Sequence, residues 1–202
     1  MNNVLILFAH PRFEKSRVNR LLLKAVGGLE GITVRDLYEE YADFNIDSEK
    51  EKMLLLEHET IVWQHPLYNY ASPPLIKQWI DLVIEYGWAH GIGGDHLKGK
   101  TIFNVLTTGG TRQAYSSGGH GFTLREFLAP FEQTARLCGM HYLPPFVVHG
   151  TFLLSDPEIQ TYGNLYRSLL SLVTSQKFDP DTVQPYEYLN DWIGSQDAAG
   201  AT

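Results

Sequence analysis

Apolar runs bounded by turn residues recur along the chain at Val4 to Ala9, Ile32 to Leu37, Thr60 to Trp63, Thr101 to Leu106 and Tyr142 to Val148. Between them apolar positions return at helical spacing, at Val18 to Val26, Pro74 to Tyr86 and Leu124 to Leu137, and again after the last run at Pro157 to Val173. Alternation of this kind predicts an α/β fold, a parallel sheet with helices on both faces in a three-layer, doubly wound arrangement. Right-handed crossovers leave few topologies for five strands and favour the order 2-1-3-4-5.

Two stretches stand outside the alternation. Residues 39–52, with a core of Asp-Phe-Asn-Ile-Asp, lie between the second strand and a short helix expected before the third, and read as a surface excursion. After Lys177 the chain turns polar and aromatic in FDPDTVQPYEYLNDWIG, so residues 1–177 are taken as the domain and 178–202 as a C-terminal extension. Tyr186, Tyr188 and Trp192 favour packing of that extension, on its own domain or on a partner subunit.

With 202 residues, 44% of them hydrophobic, the chain fits one domain with a sizeable core. The formal net charge of −7 opposes binding to a polyphosphate backbone, and no basic stripe offsets it, so nucleic acid is not an expected partner. The lone Cys138, beside Leu137 and Met140, reads as a buried helical thiol. No window approaches the apolar length of a membrane span, and a cytoplasmic chain is expected.

Candidate chemistry concentrates at three strand exits. In LILFAHPRFEKSRVN the first strand ends at His10, and Ser16 stands where the next helix begins, so the N–H groups of Ser16, Arg17, Val18 and Asn19 would form an anion site. One terminal phosphate suits it, because no G-x-G-x-x-G occurs there. In IVWQHPLYNYASPPLIKQWID the loop Pro66, Leu67, Tyr68, Asn69 and Tyr70 combines a stiff backbone, aromatic faces and an amide, a mixture suited to an isoalloxazine ring. The third exit, Thr107, Thr108, Gly109 and Gly110, lets backbone N–H groups approach a ligand closely. Downstream, Tyr115 and His120 offer a phenol and an imidazole fit to protonate an oxygen that receives a hydride. Trp88 and His90 become candidates for a substrate or subunit-interface wall if GWAHG folds back over the cleft. No metal is expected, since the histidines lack the paired spacing of a zinc helix.

Together, the strand-AHP turn, Ser-x-x-Asn at 16–19, WQHPLYNYASPPLIKQWID and the TTGG-to-His120 loop resemble the flavodoxin-like NAD(P)H:quinone oxidoreductase family, over residues 3 to 154. YADFNID at 41–47, VWQHP at 62–66, GWAHGIGG at 87–94 and LPPF at 143–146 are similar to the ancillary flavoprotein subunits of glutathione-regulated Kef potassium efflux systems. The Tyr115-to-His120 loop is more similar to the general quinone reductases. The resemblance implies a homodimer that binds FMN through His10, residues 16–19, 66–70 and 107–110, and transfers a hydride from NAD(P)H to a quinone by a ping-pong route. Tyr115 and His120 would be the active-site pair. FAD is also compatible with the first helix start. A second implied role is peripheral, binding a membrane transporter's cytoplasmic domain to activate potassium efflux. A one-electron carrier is the third reading, and it has no need of the proton-handling groups at Tyr115 and His120.

Overall fold

Val4–Phe8 forms β1 in the computed structural model, which describes residues 2–175 and 178–200. This strand pairs in parallel with β2 (Ile32–Asp36) on one side and β3 (Thr60–Pro66) on the other, and β4 (Thr101–Thr107) continues from β3. The three inner strands are buried on both faces, which is why they read as apolar runs rather than as alternation. The order is the expected one, β2-β1-β3-β4-β5.

The run expected as one fifth strand is two, β5 (His141–Tyr142) and β6 (Phe146–Val148), each paired with β4. Pro144 and Pro145 separate them because neither has an N–H to give to the ladder.

Helices cover both faces. On one lie α1 (Arg17–Val26), α7 (Asp156–Thr174) and α8 (Leu189–Gly200), packed on Val4, Ile6 and Phe8. On the other lie α2 (Leu37–Glu40), α3 (Ser48–Leu56), α4 (Pro74–Val83), α5 (Leu124–Phe127) and α6 (Ala129–Leu137), packed on Leu5 and Leu7. Alternate residues of one strand thus feed two cores. The helix expected over Leu124 to Leu137 breaks at Leu128, where Pro130 in the first turn of α6 has no N–H to continue the ladder. Helix α4 ends at Val83, short of the expected Tyr86, as the chain turns through Ile84 toward Gly87. Cys138 is buried just past α6, and burial pushes its thiol up to about 11.

The stretch 39–52 runs along the surface, as expected, but is pinned into the interior at four points. Tyr41, Ile46, Glu51 and Lys52 are buried. Asp47 caps α3, whose Glu51 turns inward and accepts from Trp79 Nε1 at 2.8 Å, Tyr41 Oη at 2.6 Å and Arg35 Nε at 2.9 Å. A buried carboxylate survives only when paired and saturated in this way.

The C-terminal segment packs on its own domain. Val183, Leu189, Trp192 and Ile193 are buried with the strand residues Val4, Ile6 and Phe8, and Asn190 exchanges two hydrogen bonds with the backbone of Val147 in β6. The boundary expected at Lys177 lies outside the described residues, as do Met1 and residues 201–202. Among the described residues no helix is long and apolar enough to cross a membrane.

Candidate active site

The carboxyl ends of β3 and β4 stop level with each other, and β1 ends two residues short of them. Phe8 pairs with Gln64 and Pro66 with Thr107, while the N–H groups of Ala9, Leu67 and Thr108 donate to Gln64, Thr107 and Val148 across the exits. The loops that follow open a cavity of about 730 Å³. His10, Ser16, Arg17, Val18, the run 66–70, Thr107, Gly109, Gly110, Tyr115 and His120 all line it. Asn19 and Thr108 are buried and lie outside that lining.

Ser16 caps α1. Its hydroxyl oxygen accepts from Asn19 N at 3.2 Å and from Asn19 Nδ2 at 3.1 Å, which leaves the hydroxyl proton free to be donated. Asn19 in turn is held from below. Its Nδ2 also donates to Thr107 Oγ1, its Oδ1 accepts from Gln64 Nε2, and Gln64 Oε1 accepts from Tyr166 Oη, all of them buried residues. A polar chain running from α7 through β3 therefore fixes the first turn of α1.

His10 accepts the Arg12 N–H on Nδ1 at 3.1 Å, so in its neutral form the ring proton sits on Nε2, which faces Tyr68 Oη at 3.4 Å. Burial holds its basicity below the ordinary imidazole value and keeps it neutral.

The second loop is a tight turn with Asn69 at φ 48° and Tyr70 at φ 65°. Tyr68 and Ala71 exchange both backbone hydrogen bonds at 3.0 Å, leaving Asn69 and Tyr70 at the tip. Left-handed backbone at two successive non-glycine residues is costly, and such strain collects at ligand sites. Tyr70 stacks on Phe127 with centroids 5.0 Å apart.

At the third exit Thr108 Oγ1 donates to the Gly110 carbonyl at 2.9 Å. A Cβ at Gly110 would lie 3.1 Å from the Tyr115 ring, so glycine is what lets that ring approach. Tyr115 is buried, with its centroid 5.3 Å from that of His120 and 5.9 Å from that of His149. His120 N donates to the Ala114 carbonyl at 2.7 Å, closing the loop between the two. Burial first, then the Arg112 charge, lowers His149 to about 4.

Trp88 and His90 do not line this cavity. Gly87 and Gly91 at positive φ turn their loop onto itself, with Trp88 stacked on His96 and His90 edge-on to Tyr86. Four lining residues lay beyond the sequence reading: Arg12, Lys15, Thr151 and Phe152. The first two carry a signal, basic side chains just before the N-terminus of α1. Thr151 and Phe152 lie in the loop after β6, a fourth strand exit outside the three singled out above.

Residues 2–169 match the family model described as flavodoxin-like fold. The chain is 48% identical over 164 residues, 81% of its length and 90% of the relative's, to the ancillary protein KefG of the glutathione-regulated potassium-efflux system of Serratia proteamaculans (strain 568). The solved structure of general stress protein 14 from Treponema denticola in complex with FMN superposes with a TM-score of 0.81 at 36% identity, covering 85% of this chain and 99% of that one. An NADPH-quinone reductase from P. pentosaceus gives a TM-score of 0.77 at 29% identity, with 88% and 100% covered.

Proposed function

This chain belongs to the family with the flavodoxin-like fold, and from that membership we propose that it is an FMN-dependent NAD(P)H:quinone oxidoreductase acting as a homodimer. The observation that carries the reading is the meeting of a capped helix start, an aromatic turn and a glycine pair around one cavity. The donor set suits FMN. Ser16 keeps a free hydroxyl proton at an N-terminus that favours anions, and Arg12 and Lys15 add positive charge beside it. Gly109 and Gly110 carry no side chain that would bar a flat ring's polar edge from the backbone. The relative solved with FMN and the NADPH-quinone reductase support the same reading.

When bound, FMN supplies a ring that takes a hydride from NAD(P)H and passes it to a quinone. The remaining work belongs to the protein. Ser16, Arg17, Val18 and the His10 Nε2 proton would hold the phosphate end, with Asn19 fixing Ser16 from behind. Pro66 to Tyr70 would flank the ring, and the amides of Thr107 to Gly110 would offset charge at its polar edge. Tyr115 Oη would donate the proton that the quinone oxygen needs, and the His120 imidazole beside it would restore that proton from solvent. Tyr70 and Tyr115 would exclude water from the ring.

Heat release and weighing of the bound cofactor, followed by bleaching with NADPH and recolouring with a quinone, tests the reading. Protein that holds FMN but bleaches only with a separate reductase would overturn it.

A second reading is favoured by the identity to KefG: the same fold serves as a subunit that binds and activates a potassium efflux transporter. Co-purification with such a transporter from membranes is the expected result. Transporter-containing membranes that retain none of the protein would count against it.

A further inference from the structure

The C-terminal segment touches the loop that carries Tyr115. Arg112 opens the 3-10 turn that leads directly into Tyr115. Its guanidinium donates to both oxygens of Asp191, from Nη1 at 2.9 Å and from Nη2 at 2.8 Å, and Nη2 also donates to Glu187. The same guanidinium lies 4.5 Å over the ring of the buried Tyr188. Tyr188 packs on His149 at 5.4 Å, and His149 packs on Tyr115. Behind these contacts Leu189 N donates to the Pro145 carbonyl, and Asn190 pairs with Val147, so the segment is anchored on β6 independently of its charges.

The family match ends at residue 169, whereas Glu187 and Asp191 lie beyond it. We propose that Glu187 and Asp191 are positioning residues for the active-site loop, acting through Arg112 to hold Tyr115 between Gly110 and His149. An isolated surface ion pair would do little. A bidentate guanidinium shared by two carboxylates and backed by an aromatic face is the exception, because its geometry is fixed and its charges form a network. The segment's anchoring explains why holding Arg112 from there stiffens the loop. Both carboxylates and the arginine are partly exposed. The catalytic meaning of the clamp rests on the proposed role of Tyr115 and His120, and its mechanical part does not.

The test uses the full chain with Glu187→Gln/Asp191→Asn, near-isosteric changes on half-exposed side chains, together with Arg112→Ala and Arg112→Lys. Amide hydrogen exchange over 111–121 is read first, without any substrate. Faster exchange confined to that loop, with thermal stability and flavin content retained, is expected for the double variant and for Arg112→Ala. Quinone turnover should fall roughly tenfold or more with little change in the KM for NAD(P)H, since a small misplacement of a catalytic group is enough for that. Arg112→Lys should recover part of the loss. Adding Arg112→Ala to the double variant should cost no more than Arg112→Ala alone, because both break one network. Unchanged exchange in the loop, exchange raised across the whole chain, or additive losses would each overturn the proposal. A protein that binds no flavin at all would remove the proposed function while leaving the exchange result to decide the clamp.

Discussion

Asn19 Nδ2 donates to Thr107 Oγ1 at 3.1 Å, joining the first turn of α1 to the last residue of β4 inside the molecule. The same amide group serves Ser16, and its oxygen accepts a hydrogen bond from Gln64 Nε2. One side chain therefore ties together the exits of β1, β3 and β4, the three strands whose loops line the cavity.

Replacement of Asn19 by Leu is expected to leave Gln64 Nε2 unpaired in the interior and to release Ser16. An orphaned buried donor costs about 1–3 kcal/mol. Urea unfolding should register a loss of that size. Flavin affinity should fall as well, because the turn proposed to hold the phosphate loses its support, and affinity equal to that of the parent protein would contradict this account.

Gly110→Ala tests the close approach of Tyr115. The new Cβ would meet the ring at 3.1 to 3.3 Å, forcing it to give by a few tenths of an ångström. Gly118→Ala is the matched control, with nothing within 4 Å of the added carbon. Quinone turnover should drop about tenfold or more in the first variant. It should hold in the second. Equal activity in both would mean that the position of Tyr115 does not govern the reaction.

Most of the cavity's lining is legible in the sequence. Strand exits are marked by an apolar run ending in a turn, and chemistry-bearing residues stand out against that background, so His10, the 66–70 loop and the glycine pair could be read directly. What the pattern hides is anything that needs a second segment to make sense. Glu51 looks like a solvated charge until Arg35, Tyr41 and Trp79 surround it. Phe152 looks like a stray aromatic until the exit of β6 is seen to reach the same cavity. Trp88 and His90, candidates for a wall only if their loop folds over the cleft, lie apart from the cavity. A Gly-rich aromatic loop next to a cleft has the composition of a wall, but its glycines fold it back on its own ends.

Tyr115→Phe removes one hydroxyl and little else. If Tyr115 Oη supplies the proton to the quinone oxygen, turnover with quinone should fall on the order of 10²-fold, the size usual for a lost general acid. Bleaching by NADPH should persist, because that half of the cycle needs no proton from this phenol. Stopped-flow traces of the two half-reactions separate the cases, and an oxidative half-reaction as fast as in the parent protein would remove Tyr115 from the proposed chemistry.

His65 sets an acid limit on the fold. It is fully buried in β3, donating from Nδ1 to the Pro66 carbonyl at 3.0 Å and accepting from Asn104 Nδ2 on Nε2 at 3.2 Å, which describes a neutral ring. Burial lowers it from 6.5 to about 4. The folded state therefore refuses a proton that the unfolded chain accepts below about pH 6.5, so stability is full above that value and declines as pH falls toward 4. Inside the window the slope is about 1.4 kcal/mol per pH unit, or roughly 2 kcal/mol between pH 6.5 and 5 from this residue alone. His149, also lowered to about 4 but less deeply buried, adds to the same trend. Denaturant unfolding of the parent protein and of His65→Gln at both pH values isolates the contribution. The variant should be less stable at pH 6.5 yet lose about 2 kcal/mol less on acidification, and parallel pH profiles would show that His65 takes up no proton on unfolding.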